Sequence, residues 1–278
     1  MELQVELSQL YLHTCKLDVQ SLKPGNVSVY STVKDLSVDD FLNSAAASVQ
    51  PLTEQNISLG KRILRALEAT HKAVSTNTNL GMILLIAPLI HARLQVMDSS
   101  EILNALKIVL KQTTIEDACD VYQAIRLANP GGMGKKNNQD ISEEPSVSLL
   151  KTMEISASWD QIAAQYTNNF ADIFNFGVPL YKKLLEKWQD EKWATSGLFL
   201  SFLAHYPDSL IERKFGLLKA KEISAMISGL ERELCRSDSP GRYEAQLLEI
   251  DSHLKRNRIN PGTTADLTAA SIFAAGLS

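Results

Sequence analysis

The chain has 278 residues, 45% of them hydrophobic, which is enough apolar material for a large core and excludes a disordered polypeptide. Its 28 Lys and Arg are outnumbered by 32 Asp and Glu, for a formal charge of -4, so the dominant basic face needed to coat a nucleic acid is missing. Cys15, Cys119 and Cys235 lie too far apart for a zinc knuckle and form no even disulfide framework, which fits a reducing cytosol.

The chain begins Met1-Glu2-Leu3-Gln4-Val5-Glu6, acidic and amphipathic, without the basic start and apolar stretch of a secretory signal, so a cytoplasmic location is expected. Apolar residues then recur at helical spacing, as in Ile57, Ile63, Ala66, Leu67 and Val74. The pattern predicts helices over 2–20, 38–49, 57–74, 80–96, 99–111, 114–128, 159–174, 177–189, 195–205, 215–235, 240–256 and 264–275. Cap signals mark four of the starts: Ser37 with Asp40, Thr113 with Glu116, Ser158 with Gln161, and Thr263 with Asp266. The most apolar run, Leu80 to Ile90, is about half the length needed to span a bilayer and carries Pro88, so it reads as a buried helix and no membrane association is expected. No strand pattern and no fixed-period repeat emerges. The expected fold is all-α: a single globular multi-helix array of about a dozen helices spanning residues 1–278 as one domain.

Loops interrupt this pattern where chemistry is most often placed. In Lys23-Pro24-Gly25-Asn26 the Pro fixes one backbone angle and the Gly permits a positive one, so successive N–H groups can face an anion; taken alone, the four residues fit a plain helix stop and turn better. Ser75 to Gly81 sets five polar residues ahead of a helix start, whose positive end suits a phosphate, although one of them would suffice as a cap. Asn129 to Lys136 is glycine-rich, but it lacks the Walker spacing and a preceding strand, which excludes a P-loop NTPase and leaves a surface loop. Asn260-Pro261-Gly262-Thr263-Thr264-Ala265-Asp266 is a turn into a capped helix.

The candidate carboxylates are Asp39, Asp40, Asp117, Asp120, Asp172, Asp208, Glu212 and Asp266, of which at least half are expected to be merely solvated. Paired carboxylates suit the breaking of a glycosidic bond or the holding of metal-bridged phosphates. The five histidines form no HExxH or comparable pair, so a zinc or Ser-His hydrolase has no support. Trp159, Trp188 and Trp193 read as packing residues.

Taken in order, Lys23-Pro24-Gly25, Asp40-Phe41-Leu42 with Ser44-Ala45, Asn77-Thr78 with Gly81, and Pro261-Gly262 with Ala265-Asp266-Leu267 resemble the triphosphoribosyl-dephospho-CoA synthase family. Tyr122 to Arg126 and Leu210 to Gly216 also resemble family segments. The resemblance implies a helical pentosyltransferase that moves a 5-triphosphoribosyl group from ATP to the ribose 2'-hydroxyl of 3'-dephospho-CoA and releases adenine. It further implies phosphate and nucleotide contacts at Lys23, Gly25, Asn26, Asn77, Thr78, Asn79, Arg213 and Lys214, and catalytic carboxylates at Asp40, Glu212 and Asp266. A Mg2+ ion is implied at Asp40 and Asp266.

Two departures stand out. Ser28-Val29 and Asn79-Leu80 occupy positions where the citrate-lyase type carries Asp-Arg and His with a basic residue. Asn26, the run Thr76 to Gly81 and Asn129-Pro130-Gly131-Gly132 resemble a divergent branch found in archaea and methylotrophs. An alternative for that branch is a phosphoribosyltransferase of tetrahydromethanopterin-type cofactor synthesis, with phosphoribosyl pyrophosphate as donor. A third reading is a non-catalytic scaffold of the same fold, and a fourth lets water attack the N-glycosidic bond.

Overall fold

The computed structural model describes residues 2–31, 36–74, 76–130 and 140–277. Among them are the α-helices α1 (Glu2–Gln20), α2 (Val38–Thr53), α3 (Leu59–Ala73), α4 (Leu80–Arg93), α5 (Ile102–Lys111), α6 (Ile115–Ala128) and α7 (Leu149–Ser156). They continue as α8 (Gln161–Asn168), α9 (Val178–Trp188), α10 (Glu191–His205), α11 (Ser209–Phe215), α12 (Leu217–Arg236), α13 (Glu244–Arg256) and α14 (Gly262–Gly276). The described residues form no sheet, only an isolated bridge between Ser28 and Ser31, so the fold is all-α as expected. By contacts the chain forms two compact units, one of Met1–His13, Asp39–Ala171 and Gly276–Ser278, the other of Thr14–Val38 and Asp172–Ala275.

In the first unit α3 packs on α6, and α4 packs on α3, α5 and α8. Gly60 makes the first contact possible: a Cβ there would stand 2.4 Å from the Cα of Asp117. The same Asp117 accepts from the Gly60 N–H at 2.7 Å and closes the capping box at Thr114, which starts α6. Asp117 is therefore structural, and the cap stands one residue beyond the predicted Thr113. Every residue of α4 from Leu80 to Ile90 is buried, as its uniformly apolar sequence requires. Pro88 has no N–H to give the carbonyl of Leu84, and the Tyr166 hydroxyl donates to that oxygen instead at 2.6 Å.

In the second unit α10 is the central helix, buried from Ala194 to Leu203 and packed against α9 and α12. Leu22, Phe199, Leu203, Ile211, Ile223, Ile227, Leu254 and Ile259 belong to its core. Three differences from the predicted helices have local causes. Asp190 accepts from the Lys192 and Trp193 N–H groups and so starts α10 earlier than the apolar pattern indicated. Gly216, at φ 88° and ψ 159°, moves the start of the helix predicted over 215–235 to Leu217, and the short α11 that ends before it was not predicted. The helix α7 was not predicted; it spans two turns and buries only Leu149, Thr152 and Met153, too short a stretch for an apolar period to show.

Candidate functional site

In the second unit, α1 ends and the chain turns through Lys23 to Asn26. The Lys23 ammonium forms an ion pair with Asp18 and donates to Asn26 Oδ1 at 2.9 Å, with both charged side chains inside, 0% and 3% exposed. Burial raises the Asp18 carboxyl above its ordinary value, and the Lys23 charge works against that rise. Asn26 Nδ2 donates to Asn260 Oδ1 at 2.9 Å, and the Gly25 N–H donates to Asp251 Oδ1 at 2.8 Å. Gly25 has φ 84°, and a Cβ on it would lie 2.8 Å from the Ile259 carbonyl oxygen and 2.9 Å from Pro261 Cδ, so neither the angle nor the space admits a side chain. Asp251 also pairs with Lys255 at 3.0 Å and accepts from Ser31 Oγ. The first sequence loop and the Asn260 turn are thus bonded to each other, with Lys23 turned inward as a brace.

Asp208, wholly buried, joins two helix starts. Its Oδ1 accepts from the Ile211 N–H at 2.9 Å in α11, and its Oδ2 accepts from Thr264 N at 2.7 Å and Thr264 Oγ1 at 2.8 Å in α14. Ser209 adds a 3.1 Å bond to Thr263. The cap expected from Thr263 and Asp266 is therefore supplied from elsewhere in the chain. Burial raises the Asp208 carboxyl from its ordinary value, opposed by the N–H groups that bond it. Glu212 lies half-buried in α11, Arg213 and Lys214 are exposed in its last turn, and Asp266 lies half-buried in the first turns of α14. Desolvation first, and Arg213 second, lower Lys214 from its ordinary value.

The first unit holds the other residues. Asp40 is half-buried in the first turn of α2. One turn on, Ser44 Oγ donates to the Asp40 carbonyl at 2.6 Å and lies 2.6 Å from Thr78 Oγ1. Asn77 is exposed, and its Oδ1 accepts from the Leu80 N–H at 3.3 Å at the start of α4. Asn79 is 4% exposed, and its Nδ2 lies 3.4 Å from Ser48 Oγ and 3.2 Å from Thr70 Oγ1. Its Oδ1 is buried without a partner, as is Thr76 Oγ1. Ser48 Oγ already donates to the Ser44 carbonyl at 2.7 Å, so it can only accept from the amide, which fixes Nδ2 towards Ser48 and leaves Oδ1 as the unpartnered end. That end offers a ligand hydroxyl a carbonyl acceptor.

A sequence model of the family described as CitG, ATP:dephospho-CoA triphosphoribosyl transferase, matches residues 4–278. The chain belongs to this family. A crystal structure of a provisionally assigned triphosphoribosyl-dephospho-CoA synthase from Archaeoglobus fulgidus is similar, at 26% identity and a TM-score of 0.62, covering 86% of this chain and 97% of that one. No curated protein matches the chain.

In this triphosphoribosyl transferase family member, each unit brings some of the sequence-selected residues together. Lys23, Gly25 and Asn26 share one hydrogen-bonded network with the Asn260 turn; Asn77, Thr78 and Asn79 head α4 beside Ser44 and Ser48. Asp251 and Ser48 went unassigned in the sequence because the partners they hold, Gly25 and Asn79, are distant along the chain, whereas Asp18, five residues before Lys23, was a legible partner that sequence reasoning missed. Asp208 was named only as a candidate carboxylate, although its place ahead of a helix was a legible cap signal. Ser75 and residues 131–139, part of two predicted loops, lie outside the described residues. Among the described residues no group of three or more His, Cys, Asp or Glu is set to hold a metal ion, and no helix is long and apolar enough to cross a membrane.

Proposed function

We propose that the chain transfers a 5-triphosphoribosyl group from ATP to the ribose 2'-hydroxyl of 3'-dephospho-CoA and releases adenine. The observation that carries this reading is the family match over nearly the whole chain, residues 4–278. In the reaction the acceptor oxygen bonds to C1' of the ATP ribose, the bond from C1' to the base breaks, and adenine leaves with the electron pair. The proton of the acceptor hydroxyl must go to a base, and positive charge develops on the sugar.

Half-buried Glu212 and Asp266 are carboxylates suited to those two tasks, as is Asp40. Asn77, Thr78 and Asn79, with the start of α4, are the contacts we assign to phosphate and sugar hydroxyls. The unpartnered end of the Asn79 amide supports this, since a buried polar atom left alone costs about 1–3 kcal/mol that a ligand hydrogen bond recovers. Arg213 and Lys214 add exposed positive charge for the triphosphate or the acceptor phosphates. Lys23, Gly25 and Asn26 act by fixing the loop to the Asn260 turn. Asp40 in the first unit and Asp266 in the second each offer the hard carboxylate oxygen that Mg2+ takes, and because the ion binds through one or two carboxylates plus substrate phosphates, either one would suffice. There it would neutralise charge on the triphosphate.

A second reading is favoured by Ser28, Val29, Asn79 and Leu80, which stand where the citrate-lyase type has charged residues. It keeps the phosphorylated pentose and changes the donor to phosphoribosyl pyrophosphate, with pyrophosphate leaving and a pterin-type alcohol as acceptor. Chromatography of purified protein incubated with ATP, dephospho-CoA and Mg2+ should reveal free adenine above a no-enzyme control. Its absence, with pyrophosphate released in the parallel reaction, would move the assignment to the second reading. Silence in both would leave a scaffold.

A further inference from the structure

We propose that Phe176, His205 and Tyr206, in the second unit, form a stacking site for a purine base that bears an exocyclic amine. Phe176 is the hub of an aromatic cluster, with ring centroids 5.1 Å from Phe202, 5.4 Å from His205 and 5.6 Å from Tyr206. Phe202 is sealed in the core, whereas Phe176 and Tyr206 are half-buried and His205 is exposed. The cluster is thus closed on one side and open on the other, the form a planar ligand needs in order to add one more ring.

The backbone that carries Phe176 is unusual. Asp172–Gly177 is a π-helical turn, a wide and rarely used geometry that recurs at functional sites. It is wedged against α14 at Gly177, where a Cβ would stand 2.1 Å from Ser271 Oγ and 3.0 Å from Phe202 Cζ. A side chain at Gly177 has no room there, so the turn that carries Phe176 packs closely on α14.

His205 supplies the specificity. Its Nδ1 lies 2.8 Å from the Ser201 carbonyl, an acceptor only, so this nitrogen carries the hydrogen. In the neutral ring Nε2 is then an acceptor, matched to an amine N–H of the base and mismatched to a keto oxygen. Tyr206 is held from the other side by its bond to Asp172 at 3.4 Å. Tyr206 is also two residues before Asp208, so this platform leads directly into the start of α11.

The inference deepens the ATP reading above and rests on it for the choice of nucleotide. The test is calorimetric binding of MgATP, MgITP and inorganic tripolyphosphate to the full chain and to the variants Phe176→Leu and His205→Ala. Loss of a base-aromatic stack predicts roughly 5- to 150-fold weaker ATP binding in Phe176→Leu, with tripolyphosphate unchanged. The wild type should prefer ATP to ITP, and His205→Ala, an exposed change that leaves the core intact, should erase the preference. Equal ATP affinity in Phe176→Leu and wild type, no measurable ATP binding by the wild type, or a preference that survives His205→Ala would each overturn the site. Adenine release reads the transfer separately. ATP bound with this base preference but never cleaved sinks the transfer alone; adenine released with binding indifferent to both variants sinks this site alone.

Discussion

Replacing Lys23 with Met removes an ammonium that is 0% exposed and leaves Asp18, 3% exposed, without its cation. Breaking a buried pair from one side costs roughly 3–5 kcal/mol, because the remaining charge stays desolvated. Asn26 Oδ1 loses its donor as well. Against a total stability of about 5–15 kcal/mol this is a large fraction, and urea unfolding should show it as a lower midpoint. Asp18 is already pushed above its ordinary carboxyl value by burial. In the variant the fold therefore favours protonated Asp18, an advantage present below the unfolded value and lost as pH rises through the folded one. The loss should be larger at pH 8 than at pH 5. The double variant Asp18→Leu with Lys23→Met removes both charges and should regain most of the stability. Its affinity for MgATP should stay within about twofold of wild type, since an internal brace makes no ligand contact. A single variant destabilised by under about 1 kcal/mol would refute the buried-pair argument. A double variant that folds normally but loses ten times its ATP affinity would return Lys23 to the ligand.

His91 in the first unit is held to about 4 by desolvation, with Arg62 adding to the effect. The unfolded chain therefore binds the extra proton first, and stability falls as pH drops from 6.5 towards 4, by up to about 3 kcal/mol. His91→Gln should flatten the melting temperature across that window. Gly25→Ala meets both a positive φ and the Ile259 carbonyl, and should cost about 1–2 kcal/mol from the backbone angle alone, read by urea unfolding. Asp208→Ala leaves the Ile211 and Thr264 N–H groups without their buried acceptor; the expected loss is roughly 2–4 kcal/mol, with faster hydrogen exchange in the first turn of α14. Burial pushes the Cys235 thiol up to about 11, so iodoacetamide at pH 7.5 should label it only after denaturation.

The helical array was readable because segments such as α3, α5 and α9 show a strong 3.6-residue apolar period, and α4, apolar all round, announced its own burial. What the sequence could not display were partners far along the chain. Thr263 looked like the cap of α14, yet Asp208, which precedes it by more than fifty residues, takes the Thr264 N–H. Lys23 read as a free cation next to a glycine turn, while its partner Asp18 sits one helical turn back, on a helix whose inward face is set by tertiary packing. The Leu84 carbonyl freed by Pro88 was foreseeable; that Tyr166 would fill the gap was not. Asn77, Thr78 and Asn79 stand together in the sequence, but only the fold separates an exposed Asn77 from a buried Asn79 with one unpartnered end.

The most direct test of the whole account is the mass of the acceptor after reaction. Dephospho-CoA incubated with the protein, ATP and Mg2+ should gain one triphosphoribosyl group, with one adenine released for each adduct formed. Unmodified dephospho-CoA alongside free adenine would make the protein a hydrolase of the N-glycosidic bond, and unmodified dephospho-CoA without adenine would contradict the ATP-dependent transfer altogether.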